Sequence, residues 1–279
     1  MHHEPTSGTV PVHLRIADAL RAQITSGELQ PGQAIPSTKV LAQDWHCSVG
    51  VARMAVAVLM DEGRLSGGRG KPATVRRAPT RRPLTLSSDW SQLQKDMVHR
   101  PESERRERGA IELTAGVPIS ATNSSANYQQ VLATPEIASE FDLPVGVEVV
   151  QRTYEMTDKE SGMRLSWSVS YIPLEYIRDN PALLDESNEP WPGGHQHQLS
   201  TVGIEIDRFV RKVTAIQPTT GDRQVWHMEP GVPLLHVRSK SVDIEGRVVE
   251  MSDAVYPADR AEILYVEQLK RWDLERGQK

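Results

Sequence analysis

The sequence predicts an α+β protein that consists of a small helical unit followed by a larger domain built on an antiparallel sheet. Near the N-terminus, apolar residues recur at helical spacing between Ser, Pro and Gly residues that are typical of helix ends. From about residue 111 onward, strand-like and turn-like segments alternate, which indicates antiparallel hairpins with a few helices. A chain of 279 residues is long enough for two ordinary domains.

The N-terminal unit begins with a predicted helix over residues 12–27, in which four apolar residues fall on one face. Gly27 is suited to the position just after a helix, and a turn with two prolines follows it. The shared face consists of Leu14, Ala17, Leu20 and Ile24.

Two serines mark the starts of the next two helices, because a serine hydroxyl can accept a hydrogen bond from a free N–H of the first turn. Ser37 precedes TKVLAQDW, and Ser48 precedes VGVARMAVAVLMDE, which ends at Gly63. The short extended pieces RLS and ATVRR then flank the loop GGRGKP. Three helices followed by a hairpin are the outline of a winged helix-turn-helix.

The loop GGRGKP has the glycines and positive charges of a phosphate-binding loop, but its spacing excludes a nucleotide site. A Walker-type loop needs Gly, four residues and then Gly-Lys-Ser/Thr, whereas Leu65 stands five positions before Gly70 and Pro72 follows Lys71. The dinucleotide spacing G-x-G-x-x-G is also absent. Cys47 is the single cysteine, which excludes internal disulfides and cysteine-cluster metal sites. We therefore expect no cofactor.

The distribution of charge favours a polyanionic partner for the N-terminal unit alone. The net charge is −5, yet residues 1–82 hold eleven basic and six acidic side chains, while the remainder holds 21 basic and 31 acidic ones. A basic head on an acidic body is expected when only the head meets nucleic acid. Chance variation of surface charge is the alternative explanation.

The second domain is predicted from two hairpins and the segments between them. VEVVQRTYEMT and RLSWSVSYIP flank the turn DKESGM, and PLLHVRSKSVDIEGRVVEMSDAVYP turns at DIEG. Between the hairpins, IDRFVRKVTAIQPT predicts a further strand, TTGDRQVWHMEPG a short helix, and residues 190–198 a loop. We predict a DNA-binding domain over 1–78, a solvated linker over 79–110 with at most a short helix at Trp90–Val98, and a second domain over 111–279.

The composition favours a cytoplasmic protein without a membrane segment. The densest apolar run, Val49–Met60, is interrupted by Gly50 and Arg53 and is too short to span a bilayer. The N-terminus MHHEPTSG lacks the basic and apolar regions of a secretion signal.

The phrase HLRIADALRAQITSGELQPGQAIPSTKVLA, the helix ending in DEG and the glycine-containing wing together resemble the DNA-binding head of GntR-type transcription regulators. The segments QRTYEMTD, SWSVSYIP and EPGVPLLHVRSKSVDIEGRVVEMSDAVYPADR resemble UTRA, the ligand-binding domain of the HutC branch, whose fold is similar to that of chorismate lyase. The resemblance implies a ligand-responsive regulator, most simply a repressor, that binds double-stranded operator DNA as a homodimer and takes a small-molecule effector.

The same resemblance implies which residues of the head meet DNA. The helix after Ser48 would enter the major groove, with base reading expected from Arg53, from contact of Val49 or Val51 with thymine methyls, and from DNA shape. Gly50 would let this helix approach DNA closely. Family heads usually carry Glu-Arg where this chain has Thr38 and Lys39. Phosphate contacts are implied for Ser37, Lys39 and Ser48 and, in the wing, for Arg69, Gly70 and Lys71.

The resemblance to UTRA also implies an effector site. Arg152 matches a family arginine that binds an anionic group of the effector, often a phosphate, and Glu250 and Tyr256 match positions that bind hydroxyls. Ser168 stands where many relatives carry a glutamate, and Arg164 and Ser166 are further candidates. The alternative for this cluster is an Arg–Glu pair that links strands, with a packed Tyr.

Other functions stay open from the sequence alone. The second domain could be a chorismate-lyase-like enzyme, although no paired acid and base is evident and no G-x-S-x-G spacing occurs. A head whose recognition helix begins with apolar residues could also belong to an interaction adaptor. His195 and His197 could bind a metal, but the sequence offers no third ligand, so a polar loop explains them and no metal is expected.

Overall fold

The computed structural model has two compact units, one formed by Met1–Thr80 with Gln217–Pro233 and the other by Arg81–Ile216 with Leu234–Lys279. Their elements are those of the predicted α+β class. No helix in the described part of the chain combines the length and the apolar character needed to cross a membrane. The structure describes residues 10–67, 72–77, 79, 81–108, 122–160, 162–267 and 269.

The first unit contains the three predicted helices and the predicted hairpin. The Ser37 and Ser48 hydroxyls accept hydrogen bonds from the N–H groups of Val40 and Val51, each at 3.3 Å, so both predicted caps are confirmed. The elements are α1 (Val12–Ser26), α2 (Thr38–Asp44), α3 (Val49–Asp61), β1 (Leu65–Ser66) and β2 (Thr74–Val75).

The core of this head is built where α1, α3 and the hairpin meet. Ile16 and Leu59 have no exposed surface, and Leu65 of β1 is 1% exposed. The buried face of α1 differs from the predicted one in one position, because Leu14 is exposed and Ile16 lies inside. Positions 16, 17, 20 and 24 follow the helical repeat more closely than a face that starts at Leu14.

The segment Gln217–Pro233 belongs to the same unit as the head, although it connects two strands of the second unit. It contains α9 (Thr220–Val225), which confirms the short helix predicted there. The Ser66 hydroxyl of β1 donates to the Glu229 carboxylate at 3.4 Å. Gly231 adopts φ +77°, and a Cβ built on it would lie 1.9 Å from the carbonyl oxygen of Asp61, so the two backbones are in close approach.

The strands of the second unit are β3 (Arg82–Thr85), β4 (Thr122–Leu132), β5 (Glu148–Asp158), β6 (Arg164–Pro173), β7 (Ile206–Ile216), β8 (Leu234–Asp243), β9 (Val248–Pro257) and β10 (Ala261–Leu264). Six of them form an antiparallel sheet in the order β4-β5-β6-β9-β8-β7. A separate parallel pair joins β3 to β10. The helices are α4 (Ser88–Met97), α5 (Glu102–Arg108), α6 (Pro135–Phe141), α7 (Leu174–Ile177) and α8 (Gly194–Ser200), with 3-10 turns at Pro181–Leu184 and Glu186–Asn188.

Two apolar clusters cover parts of the two faces of this sheet. Val150 and Ile172 pack with Leu199 of α8 on one face. Val149 and Met251 pack with α6 on the other face. Successive strand residues point to opposite faces, so this arrangement assigns every strand position to one face.

Two regions contain more regular structure than the sequence indicated. Most of the segment predicted as a solvated linker forms β3, α4 and α5, and the Lys95 side chain of α4 donates to the Ile206 carbonyl at 2.8 Å. The prediction of a loop over residues 190–198 is wrong in its second half, because α8 starts at Gly194. The glycines that suggested a loop instead supply positive φ values of 96° and 62° at the start of that helix.

Candidate functional site

The exposed end of the head presents the first turns of α2 and α3. Ser37, Lys39 and Ser48 are exposed, and Thr38 is half-buried. Both serine hydroxyls accept a backbone hydrogen bond as caps, which leaves the proton of each available to donate to a phosphate oxygen. Within the described residues, no side-chain partner is found for Lys39, so its ammonium is available for a phosphate contact.

The outer face of α3 is largely apolar and carries one charged residue. Gly50, Arg53, Met54 and Ala57 are exposed, and their spacing places them on one side of the helix. Met54 is 51% exposed, so a large apolar side chain stands in the centre of this face. Within the described residues, Arg53 has no hydrogen-bond or ion-pair partner, so its guanidinium is free to reach a base edge.

The predicted contact of Val49 or Val51 with thymine methyl groups stays a prediction. Both side chains are half-buried and pack against the core of the head. Met54 lies where such an apolar contact could be made, and the sequence reasoning missed it because Val49 and Val51 come first in the helix. The wing residues Arg69, Gly70 and Lys71 lie outside the described residues.

The second unit contains a cavity of about 270 Å³ on the α8 face of its sheet. Four of the predicted effector residues line it: Arg152, Ser168, Glu250 and Tyr256. Arg164 and Ser166 do not line it, and Arg164 instead forms an ion pair with Glu155 at 2.5 Å. The four lining residues come from β5, β6 and β9, and the sheet register brings them together.

Arg152 lies at the buried end of this cavity with each of its guanidinium nitrogens engaged. Its side chain is 2% exposed. Nε donates to Ser170 Oγ at 3.1 Å, Nη1 donates to Gln198 Oε1 at 2.8 Å, and Nη2 forms the ion pair with Glu250 Oε1. This geometry therefore fits an Arg–Glu pair that links strands, the alternative given above, better than it fits an arginine whose guanidinium is open to an anion.

The electrostatics of this pair favour two charged groups. Burial raises the pKa of the Glu250 carboxyl, but the Arg152 charge, helped by His195 and a hydrogen bond from Ser170, outweighs burial and leaves the pKa below its usual range. Tyr256, in the same wall, has its phenol pKa raised by burial to about 12, so its hydroxyl stays protonated at physiological pH.

A second polar cluster adjoins Arg152 and is centred on Glu189. One oxygen of this carboxylate accepts hydrogen bonds from the hydroxyls of Tyr128 and Tyr154, the latter at 3.1 Å, and from Gln198 Nε2 at 2.9 Å. The other oxygen accepts the Trp191 backbone N–H at 2.7 Å. Burial comes first among the causes that raise the pKa of Tyr128 to about 12. Gln198 thus bridges the two carboxylates through Arg152.

Sequence reasoning missed Glu189, Gln198, Tyr128 and Tyr154. Glu189 and Gln198 stand beside or within PWPGGHQHQ, whose prolines and glycines predicted a loop without a role. His195 also lines the cavity, with Nε2 at 4.0 Å from Glu250 Oε2. Among the residues that the structure describes, no three His, Cys, Asp or Glu side chains form a group suited to a metal ion.

Comparison with known proteins agrees with the two units. Residues 13–75 match the bacterial regulatory proteins of the gntR family, and residues 120–262 match the UTRA domain. A crystal structure described as a GntR-family transcriptional regulator superposes with a TM-score of 0.70 at 25% identity, covering 94% of this chain and 99% of that chain.

Two curated relatives extend over nearly the whole chain. The HTH-type transcriptional repressor NagR of Bacillus subtilis is 22% identical, covering 90% of this chain and 92% of NagR. The mannosyl-D-glycerate transport/metabolism system repressor MngR of Escherichia coli is 22% identical, covering 94% of this chain and 98% of MngR. The chain belongs to the GntR family of DNA-binding transcriptional regulators, in the HutC subfamily, whose members carry a UTRA domain after the winged helix-turn-helix head.

Proposed function

We propose that this regulator is a repressor that binds operator DNA as a homodimer and releases it when a small molecule occupies the cavity of the UTRA domain. The observation that carries the proposal is the cavity itself. It places hydroxyl groups of Ser168, Ser239, Ser252 and Tyr256 around one space, and within the described residues none of the four has a side-chain partner. Polar groups in such a space are expected to pair with a ligand or with water.

Repression is supported by the relatives. NagR and MngR are both named repressors, and each aligns with this chain from the head into the UTRA domain. The exposed face of α3 supports sequence choice through one guanidinium and two apolar side chains, Met54 and Ala57. Arg53 would read a guanine, and Met54 would lie against a thymine methyl group.

A homodimer is supported by the outer edge of the sheet. β7 pairs with β8 on one side, and on its other side it has no strand partner within the described residues. Val210, Val213 and Ile216 of β7 are 51%, 43% and 40% exposed. Apolar side chains along an open edge favour a covering partner, and a second copy would also supply the second head that a pseudo-palindromic operator requires.

In this proposal, binding of the effector is thermodynamically linked to binding of DNA. A ligand that lowers the affinity for DNA must itself bind the DNA-free protein more tightly, by the same factor. The residues that make the cavity and those that meet DNA are separate sets, so variants of either set should affect one binding event first.

The test combines DNA binding with ligand screening. A fluorescently labelled duplex from upstream of the protein's own gene should bind in a salt-sensitive, sequence-selective manner. A compound that raises the melting temperature should also lower the affinity for this duplex. The proposal fails if the protein does not discriminate this duplex from a scrambled one, or if every stabilising compound leaves DNA affinity unchanged. Light scattering coupled to gel filtration should give twice the monomer mass.

A further inference from the structure

The charge balance of the effector cavity is near zero. Two arginines and two glutamates line it: Arg152, Arg211, Glu189 and Glu250. Arg152 is paired with Glu250, and each of its nitrogens already donates to a protein side chain. Arg211 lies with its guanidinium 4.6 Å from the ring centre of Phe209 and donates to Ser91 Oγ at 3.4 Å. An anionic group entering this space would meet two carboxylates as well as two guanidinium groups that already have protein partners.

Replacing the partners of Arg152 would be costly for an anionic ligand. Three of the five N–H donors of Arg152 are used by these partners and the side chain is 2% exposed, so a phosphate that took over one of these bonds would leave Glu250 or Gln198 buried without its partner. The Glu189 carboxylate, which accepts four hydrogen bonds, lies on the other side of Gln198 and would repel the phosphate. At the buried end of the cavity, the guanidinium of Arg152 and the carboxylates of Glu189 and Glu250 therefore all have protein partners in the absence of a charged ligand.

The free polar groups of the cavity are hydroxyls, and they are ordered by the sheet register. Ser170 lies opposite Ser252, and Ser252 lies opposite Ser239, on three adjacent strands of the sheet. Opposed side chains on neighbouring strands are about 5 Å apart, so the three hydroxyls form a row across the cavity wall. Ser170 already accepts a hydrogen bond from Arg152, whereas Ser239 and Ser252 have no side-chain partner within the described residues. Hydroxyls both donate and accept, as do the hydroxyls of a polyol.

Aromatic side chains also line the cavity. Trp90 and Trp191 can offer an apolar surface to a ring with C–H groups on one side and hydroxyls on its edge, and Phe209 lines the cavity with its ring against the Arg211 guanidinium. The volume of about 270 Å³ is at the lower end for ligand pockets and suits a molecule of one sugar ring.

We propose that the effector is an uncharged, polyhydroxylated ring compound of monosaccharide size, bound through Ser239, Ser252 and Tyr256, and that its recognition does not depend on a phosphate or carboxylate group. The inference rests on the proposed function, since it names the ligand class of the same site. An uncharged ligand also loses less solvation than an anion when it enters a cavity without a free positive charge.

The experiment is a binding series on the full-length protein. Hexoses, pentoses, myo-inositol and ribonucleosides are each compared with their monophosphates by thermal shift and isothermal titration calorimetry. We expect at least one neutral compound to bind and its monophosphate to bind more weakly. A monophosphate that binds more tightly than every neutral compound would overturn the inference, and so would the absence of binding by all neutral compounds.

Matched serine variants locate the binding. Ser239→Ala and Ser252→Ala remove one hydroxyl each without breaking a hydrogen bond to another described side chain, so the fold should be kept. Each should weaken the neutral compound roughly five- to tenfold, the effect of one lost ligand hydrogen bond. Ser166→Ala, on the same sheet but not lining the cavity, should leave affinity unchanged. Equal affinity in all three variants would place the ligand elsewhere.

The results of these binding experiments distinguish a failure of the inferred ligand class from a failure of the proposed repressor function. If only anionic compounds bind and release DNA, the inference about the ligand fails while the effector function stands. If neutral compounds bind but operator DNA is never recognised, the ligand class stands and the repressor proposal fails.

Discussion

Arg152 and Glu250 form a buried ion pair although their strands are not neighbours. β6 lies between β5 and β9, and its Ser170 accepts a hydrogen bond from Arg152 Nε at 3.1 Å. The two side chains are 2% and 9% exposed. The pair therefore connects three strands on the cavity face, and it has a structural role whether or not a ligand is present.

Removing the positive partner should destabilise the protein strongly. Arg152→Ala leaves Glu250 buried without its counter-charge, and we expect a loss of about 3–5 kcal/mol in the free energy of unfolding. Arg164→Ala is the matched control, because its pair with Glu155 lies in the same hairpin but is 22% and 34% exposed. The control should cost about 1 kcal/mol or less. Urea unfolding followed by circular dichroism measures both, and equal losses would contradict the structural role of the pair.

The carboxylate of Asp253 makes the stability of the protein depend on pH. Burial raises the pKa of Asp253, but hydrogen bonds and charge from Arg238, and then from His236, lower it below the usual value of 3.8. A carboxyl whose pKa is lower in the folded state stabilises the protein above its unfolded pKa, and this contribution disappears as the pH falls through the folded pKa.

The pH dependence predicts how Asp253→Asn compares with the parent protein. The variant should be less stable at pH 7, and the difference should shrink as the pH falls below about 4. Asp207→Asn, on the exposed end of β7, should differ little from the parent protein at either pH. A gap for Asp253→Asn that stays constant from pH 7 to pH 3 would show that charge is not the cause. Chemical unfolding at each pH provides the measurement.

The close approach of Gly231 to Asp61 should make this glycine intolerant of substitution. Gly231→Ala places a Cβ 1.9 Å from the Asp61 carbonyl oxygen in a left-handed conformation. Gly246 is also left-handed, with φ +84°, but a Cβ there meets nothing within 4 Å. Gly246→Ala should lower the free energy of unfolding by about 1–2 kcal/mol because of backbone strain. Gly231→Ala should lower it by about 1–3 kcal/mol more, because the added methyl group also overpacks the contact. Similar melting temperatures for the two variants would contradict the contact.

Substitution of Gly50 should raise the stability of the protein and lower its affinity for DNA. A Cβ at Gly50 would meet only Ser48 Oγ, at 3.6 Å, so Gly50→Ala fits the fold and should stabilise α3 by up to about 1 kcal/mol. The added methyl group should still weaken operator binding if the start of α3 lies against DNA. Thermal unfolding and fluorescence anisotropy test the two effects, and a more stable variant with unchanged DNA affinity would place another surface in the groove.

The parts of the fold that follow local rules could be predicted from the sequence. Ser37 and Ser48 were identifiable as caps because the hydrogen bond that they make is within their own helix turn. β4 could not be found in this way. It is an edge strand with most side chains exposed, so the sequence TNSSANYQQVL lacks the apolar alternation that marks a half-buried strand.

The sequence indicated only part of the cavity lining. Arg152 and Glu250 were named from the family resemblance, whereas Glu189 and Gln198 depend on how α8 and the segment before it fold over the sheet, which no local pattern specifies. Val49 shows the same limit in the head. Its side chain is half-buried against the core of the head, a packing contact that its position at the start of α3 does not indicate.

The exposed face of α3 should give this protein sequence-selective binding to operator DNA. Fluorescence anisotropy can compare a duplex from upstream of its own gene with a scrambled duplex, over a series of salt concentrations, for the parent protein and Arg53→Ala. We expect the parent protein to bind the upstream duplex more tightly, and Arg53→Ala to bind both duplexes similarly, more weakly and still in a salt-sensitive manner. Equal binding of the two duplexes by the parent protein, or undiminished preference in Arg53→Ala, would contradict this expectation.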